Sequence, residues 1–326
     1  MGPKIFVTQP IPEKALARLR EAAEVELNPD PLHIITKPEL IAALKRNDYL
    51  FCLLHDTVDA DAIHANPNLK LIASMAIVPA GIDVAAATAR RIPVTTISPI
   101  VTEATADLHW ALLLAVARRV VEADRAVRSG IFPGGQSMRF VGTEVHGKTL
   151  GIIGLGRIGE AVARRAWGFG MRVLYTKRQR LNGARESALG VEYRSLDDLL
   201  RESDFVSVNV ALTRETVHLI GHRELGLMRP SAFLVNTARG PIVDEKALVR
   251  ALEEKRIAGA ALDVYEHEPR VEPGLINLPN VVLAPHLGSA ATDTRERMAG
   301  IVVGNIVAVI EGRRPPNLFN PEIYSP

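Results

Sequence analysis

Short runs rich in β-branched and aromatic residues alternate along the chain with stretches whose apolar positions recur at helical spacing. In the first third, KIFVT, VELN, YLFCLL, LKLIASM and IPVTTI read as strands, with PEKALARLREA and PELIAALKR as amphipathic helices between them. A second series begins at Thr149: TLGIIG, RVLYT, FVSVNV, AFLVNT, GAALDV and VVLAPH, separated by helical or loop segments. Such alternation is the signature of βαβ units. The expected class is α/β, with one sheet of five strands and a second of about six.

Thr102 to Arg119 reads as one long helix between the two series, with Thr102 as its N-cap. After the last strand, ATDTRERMAGIVVGNIVAVIEG has helical periodicity and is stopped by Gly312 and the two prolines that follow. Five N-terminal strands need cover on both faces, so this terminal helix is expected to return to the first sheet. The expected layout is two doubly wound parallel-sheet domains of Rossmann or flavodoxin-like type. Residues 1–101 with 290–326 form one, and residues 102–289 are inserted as the other.

Composition narrows the picture. At 326 residues, two domains of ordinary size are the default, and 47% hydrophobic residues suffice for real cores. The 39 basic and 37 acidic residues are spread without a single-sign block, which weighs against a nucleic-acid or membrane-surface role. Cys52 stands alone in YLFCLL, so no disulfide framework is expected; it reads as a buried small hydrophobe. The histidines lack the paired spacing of a zinc helix site, and no metal is expected. The N-terminal run shows no secretory pattern, and HWALLLAVARRVV is broken by Arg118 and Arg119 before it could span a bilayer. A cytoplasmic location is expected.

Candidate chemistry begins at GIIGLGRIGEAVARRA, where an apolar strand runs into Gly154, Gly156 and Gly159 and then into a helix. The first glycine permits a tight turn, the second lets the backbone approach a pyrophosphate, and the third lets the helix pack on the sheet. The helix N-terminus would then face the phosphates. About 20 residues on, where a carboxylate usually accepts from a ribose hydroxyl, VLYTKRQR places Thr176, Lys177 and Arg178. Two cations and a hydroxyl suit a 2′-phosphate, so NADP(H) is favoured, with NAD(H) possible. Arg180 is a weaker candidate, and a solvated basic loop is the plain alternative.

Three further segments fall at strand ends: Arg239 in LVNTARG, Glu268 in ALDVYEHEP and His286 in LAPHLGSA. An arginine can hold a carboxylate by a bidentate pair and fix a keto carbon for hydride transfer. An imidazolium can donate a proton to the carbonyl oxygen, and a neighbouring glutamate favours that charged form. Glu266 competes with Glu268 for the partner role. His55, at the end of YLFCLL, is either a cleft residue or a plain loop histidine.

GLGRIG, VNTARGPIVDEKAL, ALDVYEHEP and APHLGSA, with VTEATADLHWALLLA upstream, resemble the D-isomer-specific 2-hydroxyacid dehydrogenase family, most closely its glyoxylate and hydroxypyruvate reductase branch. The resemblance covers nearly the whole chain. It implies that Arg239 binds the substrate carboxylate, that His286 is the acid/base and that Glu268 is its partner. It also implies that Thr105, Arg157, Ile158, Thr237 and Asp263 contact the cofactor. Homodimers formed through the dinucleotide domain are a further implication.

One segment departs from the family pattern. Where members commonly read like AVGYDNID, a loop whose N–H groups hold the substrate carboxylate, this chain has AIVPAGID, with Val78 in place of the glycine and Pro79 lacking an N–H. Gly81 is expected to restore flexibility there. Likewise Ser98 and Pro99 replace a usual TPG. Leu54, Ile77 and Val78 are therefore expected to shape an altered substrate pocket. Small 2-keto acids such as glyoxylate or hydroxypyruvate lead; a bulkier acid such as 2-ketogluconate, or a non-catalytic dinucleotide-sensing corepressor, are the rivals.

Overall fold

Five of the apolar runs fold as β1 (Lys4–Val7), β2 (Glu24–Leu27), β3 (Tyr49–Cys52), β4 (Leu71–Ser74) and β5 (Val94–Thr95). They form one parallel sheet in the order β2-β1-β3-β4-β5. The computed structural model describes residues 2–324, and the chain divides into two units, Met1–Ile100 with Ala290–Pro326, and Val101–Ser289. β3 and β4 are buried along their whole length, as strands covered by helices on both faces must be. On one face Phe6, Leu50 and Ile72 pack with Leu40 and Leu44 of helix Lys37–Leu44 and with Ile63 of helix Ala60–His64. Helix Thr292–Ile310 packs against helix Glu13–Ala22 and β4.

The second unit holds β6 (Thr149–Ile153), β7 (Arg172–Thr176), β8 (Val191–Tyr193), β9 (Phe205–Val208), β10 (Phe233–Asn236), β11 (Gly259–Leu262) and β12 (Val281–Leu283). All are parallel, in the order β12-β11-β10-β9-β6-β7-β8. The sheet therefore has seven strands rather than six. The additional one, β8, is an edge strand of three residues in which Val191 alone is fully buried, with Tyr193 edge-on to Tyr175 at 5.6 Å. The direction of winding reverses between β6 and β9, and a crevice outside the carboxyl ends of the strands at such a point is where open α/β sheets bind ligands.

The helix Thr102–Ala117 differs from expectation at both ends. Val101 occupies the N-cap position without a side-chain cap, and Thr102 lies inside the first turn. At the other end Arg119 is left-handed (φ +55°) and separates a second helix, Val120–Arg128. Trp110 of the first helix stacks on Phe169 at 4.7 Å and donates from its indole N–H to the Val162 carbonyl, which locks this helix against helix Arg157–Ala166. Cys52 is buried, and burial pushes its thiol pKa up, so it is an inert apolar residue.

Candidate active site

β6 runs directly into the glycine loop. Gly154 has φ +96°, a conformation only glycine takes at little cost, and a Cβ there would lie 2.7 Å from the Val210 backbone nitrogen. A Cβ on Gly159 would stand 2.4 Å from the Gly154 carbonyl oxygen, so glycine is required for the helix to start this close to the strand. At Gly156, the residue before helix Arg157–Ala166, nothing lies within 4 Å of a Cβ position, which leaves the backbone open to a ligand. The first N–H groups of that helix have no intrahelical acceptor and carry the positive end of its dipole. Arg157 is exposed and Ile158 half-buried at this end. The residues present thus fit a dinucleotide pyrophosphate.

Beside the loop lies a cavity of about 770 Å³ lined by Gly154, Gly156, Thr176, Arg178, Asn209 and Thr213 among others. The basic residues after β7 divide in role. The Lys177 ammonium donates to the Leu155 carbonyl at 3.0 Å and so closes the glycine loop. Arg180 is held by Glu186 at 2.8 and 2.9 Å and lies over the Tyr193 ring. Glu186 also accepts from the Tyr175 hydroxyl at 2.7 Å; Arg180 first and then this hydroxyl hold its carboxyl down at about 2. Arg178 is exposed on the cavity wall, with no hydrogen bond or ion pair among the described residues. The facing wall, Asn209 with Thr213, Glu215 and Thr216, is not among the sequence candidates. Its signal is its position directly after β9, the other strand at the reversal.

The rim of the same sheet carries the second constellation. After β10, the Asn236 side chain accepts from the Ala238 N–H at 3.0 Å and donates to the Arg239 carbonyl at 3.0 Å, shaping the turn that presents Arg239. The Arg239 guanidinium is exposed and donates to the Ala238 carbonyl at 2.6 Å. A Cβ on Gly240 would overlap the backbone of Tyr265, so this loop can lie against the one after β11 because residue 240 is glycine. In that next loop Glu268 Oε1 accepts from the Tyr265 N–H at 3.0 Å, and Oε2 lies 2.8 Å from His286 Nδ1. Glu266, the competing carboxylate, faces His218 and the Glu245 N–H instead.

His286 follows β12 with φ +55°, a costly conformation for a residue other than glycine, though histidine is among those that tolerate it best. Hydrogen bonds hold it there. Its N–H donates to the Asp263 carbonyl at 2.8 Å, and the Asp263 carboxylate accepts from the N–H groups of Leu287 and Gly288 at 2.6 and 2.8 Å. Thr105 donates to the Gly288 carbonyl at 3.0 Å, so Thr105 and Asp263 brace the segment together. Burial pushes the Asp263 carboxyl up in spite of these bonds. Thr237 lies 3.5 Å from His109 Nδ1, and burial alone pushes His109 down to about 3, which keeps that ring neutral. Asp263→Asn would set an NH₂ against one of two N–H donors, of which the Gly288 one is buried and the Leu287 one part-buried. The expected cost is about 1–3 kcal/mol, read as a lower guanidinium midpoint; an unchanged midpoint would show that the brace carries no weight.

The remaining candidates lie in the first unit. Leu54 and Ile77 are half-buried, while Val78 is 53% exposed. Val78 takes an ordinary negative φ, and the Ile77 and Val78 N–H groups donate to no acceptor among the described residues. Gly81 serves a different purpose from the one expected. A Cβ there would sit 2.2 Å from the Asp56 carbonyl oxygen, so it permits close approach rather than flexibility. Asp56 is itself buried, accepting from the Thr8 hydroxyl and from the Leu53 N–H at 2.7 Å, which anchors the segment carrying Leu54.

The family model described as D-isomer specific 2-hydroxyacid dehydrogenase, NAD binding domain, matches residues 110–288. The chain belongs to the D-isomer-specific 2-hydroxyacid dehydrogenase family. A curated dehydrogenase of this type, the glyoxylate reductase of Thermococcus litoralis, is 47% identical over 100% of this chain and 99% of its own length. A crystal structure from Thermus thermophilus superposes with a TM-score of 0.89 at 43% identity, covering 97% of this chain and 99% of that one. An NADPH-dependent glyoxylate/hydroxypyruvate reductase from Sinorhizobium meliloti, solved with NADP and malonate, has a TM-score of 0.76 at 32% identity, covering 98% and 97%.

Proposed function

We propose that this dehydrogenase uses NADPH to reduce a small 2-keto acid, glyoxylate or hydroxypyruvate, to the D-2-hydroxy acid. The observation that carries the reading is the 2.8 Å pairing of His286 Nδ1 with Glu268, on the same rim as the exposed Arg239 guanidinium. The bound dinucleotide supplies the hydride. Arg239 holds the substrate carboxylate through two parallel hydrogen bonds and thereby fixes the orientation of the keto group. Glu268 fixes the tautomer and plane of the His286 ring through Nδ1, so that Nε2 is the atom that gives a proton to the carbonyl oxygen. Within the first unit, Leu54, Ile77 and Val78 are the proposed substrate-binding residues, the N–H groups of Ile77 and Val78 having no acceptor among the described residues. Thr105, Arg157, Ile158, Thr237 and Asp263 contact or brace the cofactor.

Preference for NADPH rests on the end of β7, where Thr176 and Arg178 stand in place of a carboxylate. The NADPH-dependent Sinorhizobium relative supports the same reading. Arg178→Ala should weaken NADPH binding by about 10-fold or more, the worth of one charge-assisted hydrogen bond, and change NADH binding little. Fluorescence titration of both cofactors checks this, and equal losses for the two would remove Arg178 from phosphate recognition.

Exposed apolar side chains on the second unit, Val127, Phe132, Met138 and Val141, support a homodimer through that unit. A cytoplasmic location accords with the unpaired Cys52 and with the lack, among the described residues, of a helix long and apolar enough to cross a membrane. The exposed Val78 favours one second reading, a bulkier acid such as 2-ketogluconate. Product analysis tests the reaction: hydroxypyruvate with NADPH should give D-glycerate alone, and L-glycerate or a racemate would overturn the assignment.

A further inference from the structure

Three loops at the carboxyl end of the second sheet meet in a cluster that the proposed chemistry leaves unused. Glu266 Oε2 accepts from the Glu245 N–H at 3.0 Å, and Glu245 Oε1 accepts from the Glu266 N–H at 2.9 Å, so each side chain holds the other's backbone. Glu266 Oε1 lies 2.6 Å from His218 Nε2. His218 is left-handed (φ +51°), and its N–H donates to the Pro241 carbonyl at 2.8 Å; Ile220 donates likewise to Ile242 at 3.0 Å. Glu245 is 4% exposed. Burying a carboxylate is costly unless its oxygens are paired, and an apolar side chain could fill such a position without that cost.

The geometry ties together the two segments that carry the proposed chemistry. Arg239 lies at the start of the connection that runs into helix Glu245–Glu253, and Glu268 follows Glu266 in the loop after β11. Gly240 lies against the backbone of Tyr265 and Glu266, so a shift in one loop displaces the other. We propose that Glu245 and Glu266, steadied by His218, are positioning residues that set Arg239 against the Glu268–His286 pair; this rests on the keto-acid reductase reading. Neither glutamate touches substrate. Their effect is on the placement of groups that do, where a misplacement of about 1 Å can cost on the order of 10²-fold in rate.

The test uses the full chain with NADPH and glyoxylate, comparing Glu266→Ala, Glu266→Gln and His218→Ala. Glu266→Ala is expected to lower kcat/KM by about 10²-fold while the fluorescence Kd for NADPH stays within about twofold. Glu266→Gln keeps an amide oxygen for the Glu245 N–H and should recover most of the loss. His218→Ala, a change at a half-exposed side chain, should fall between the two. Wild-type values of kcat and KM in Glu266→Ala would overturn the proposal. So would a loss in which NADPH affinity falls in parallel and glutamine restores nothing, since that marks a merely structural role. If the unaltered chain reduces no keto acid at all, the reductase reading fails first; the other two outcomes, with an active wild type, sink only the clamp.

Discussion

Replacing His286 by alanine is expected to lower kcat by about 10²- to 10⁴-fold, the usual worth of a positioned general acid, with NADPH affinity nearly unchanged. The residue stands just past β12, with ring Nδ1 against Glu268 and the backbone N–H on the Asp263 carbonyl, so the placement of the ring is fixed before substrate arrives. Because residue 286 is left-handed, His286→Asn is the companion variant: asparagine tolerates that backbone but cannot exchange a proton near neutral pH. Both variants should lose turnover together. If the asparagine variant keeps a kcat within about threefold of wild type, the proton comes from another group.

Arg239→Ala is the second large effect. Each charge-assisted hydrogen bond is worth about 1.5–3 kcal/mol, so losing a bidentate pair should reduce kcat/KM by roughly 10²- to 10⁴-fold. The guanidinium is exposed and its protein bond is to its neighbour's carbonyl, so the melting temperature should barely move. Arg239→Lys keeps the charge without the planar fork and should remain far below wild type. Steady-state kinetics with glyoxylate, together with a thermal melt, separates loss of binding from loss of fold. A lysine variant with wild-type kcat/KM would mean that charge alone suffices and that orientation through two bonds is not what Arg239 provides.

The two sheets were legible in the sequence because their strands are covered by helices and read as apolar runs closed by turn residues. β8 was not, since a three-residue edge strand with one fully buried side chain leaves almost no pattern. The break at Arg119 was hidden for a similar reason, because a left-handed turn made by an arginine carries no glycine to announce it. Arg239, Glu268 and His286 could be singled out by their places at strand ends, and the structure sets Glu268 against His286. Composition of the loop alone did not separate Lys177, bound back to Leu155, from the exposed Arg178. The reciprocal Glu245–Glu266 pair depends on the packing of two loops distant in sequence, and local spacing is silent about it.

Initial rates of NADPH and NADH oxidation, followed in parallel with glyoxylate and with hydroxypyruvate, bear most directly on an NADPH-dependent reductase of small keto acids. Rapid turnover of both acids with NADPH, and much slower turnover with NADH, is the expected result. Faster turnover with NADH would contradict the role given to Arg178, and no turnover of either acid with either cofactor would contradict the function itself.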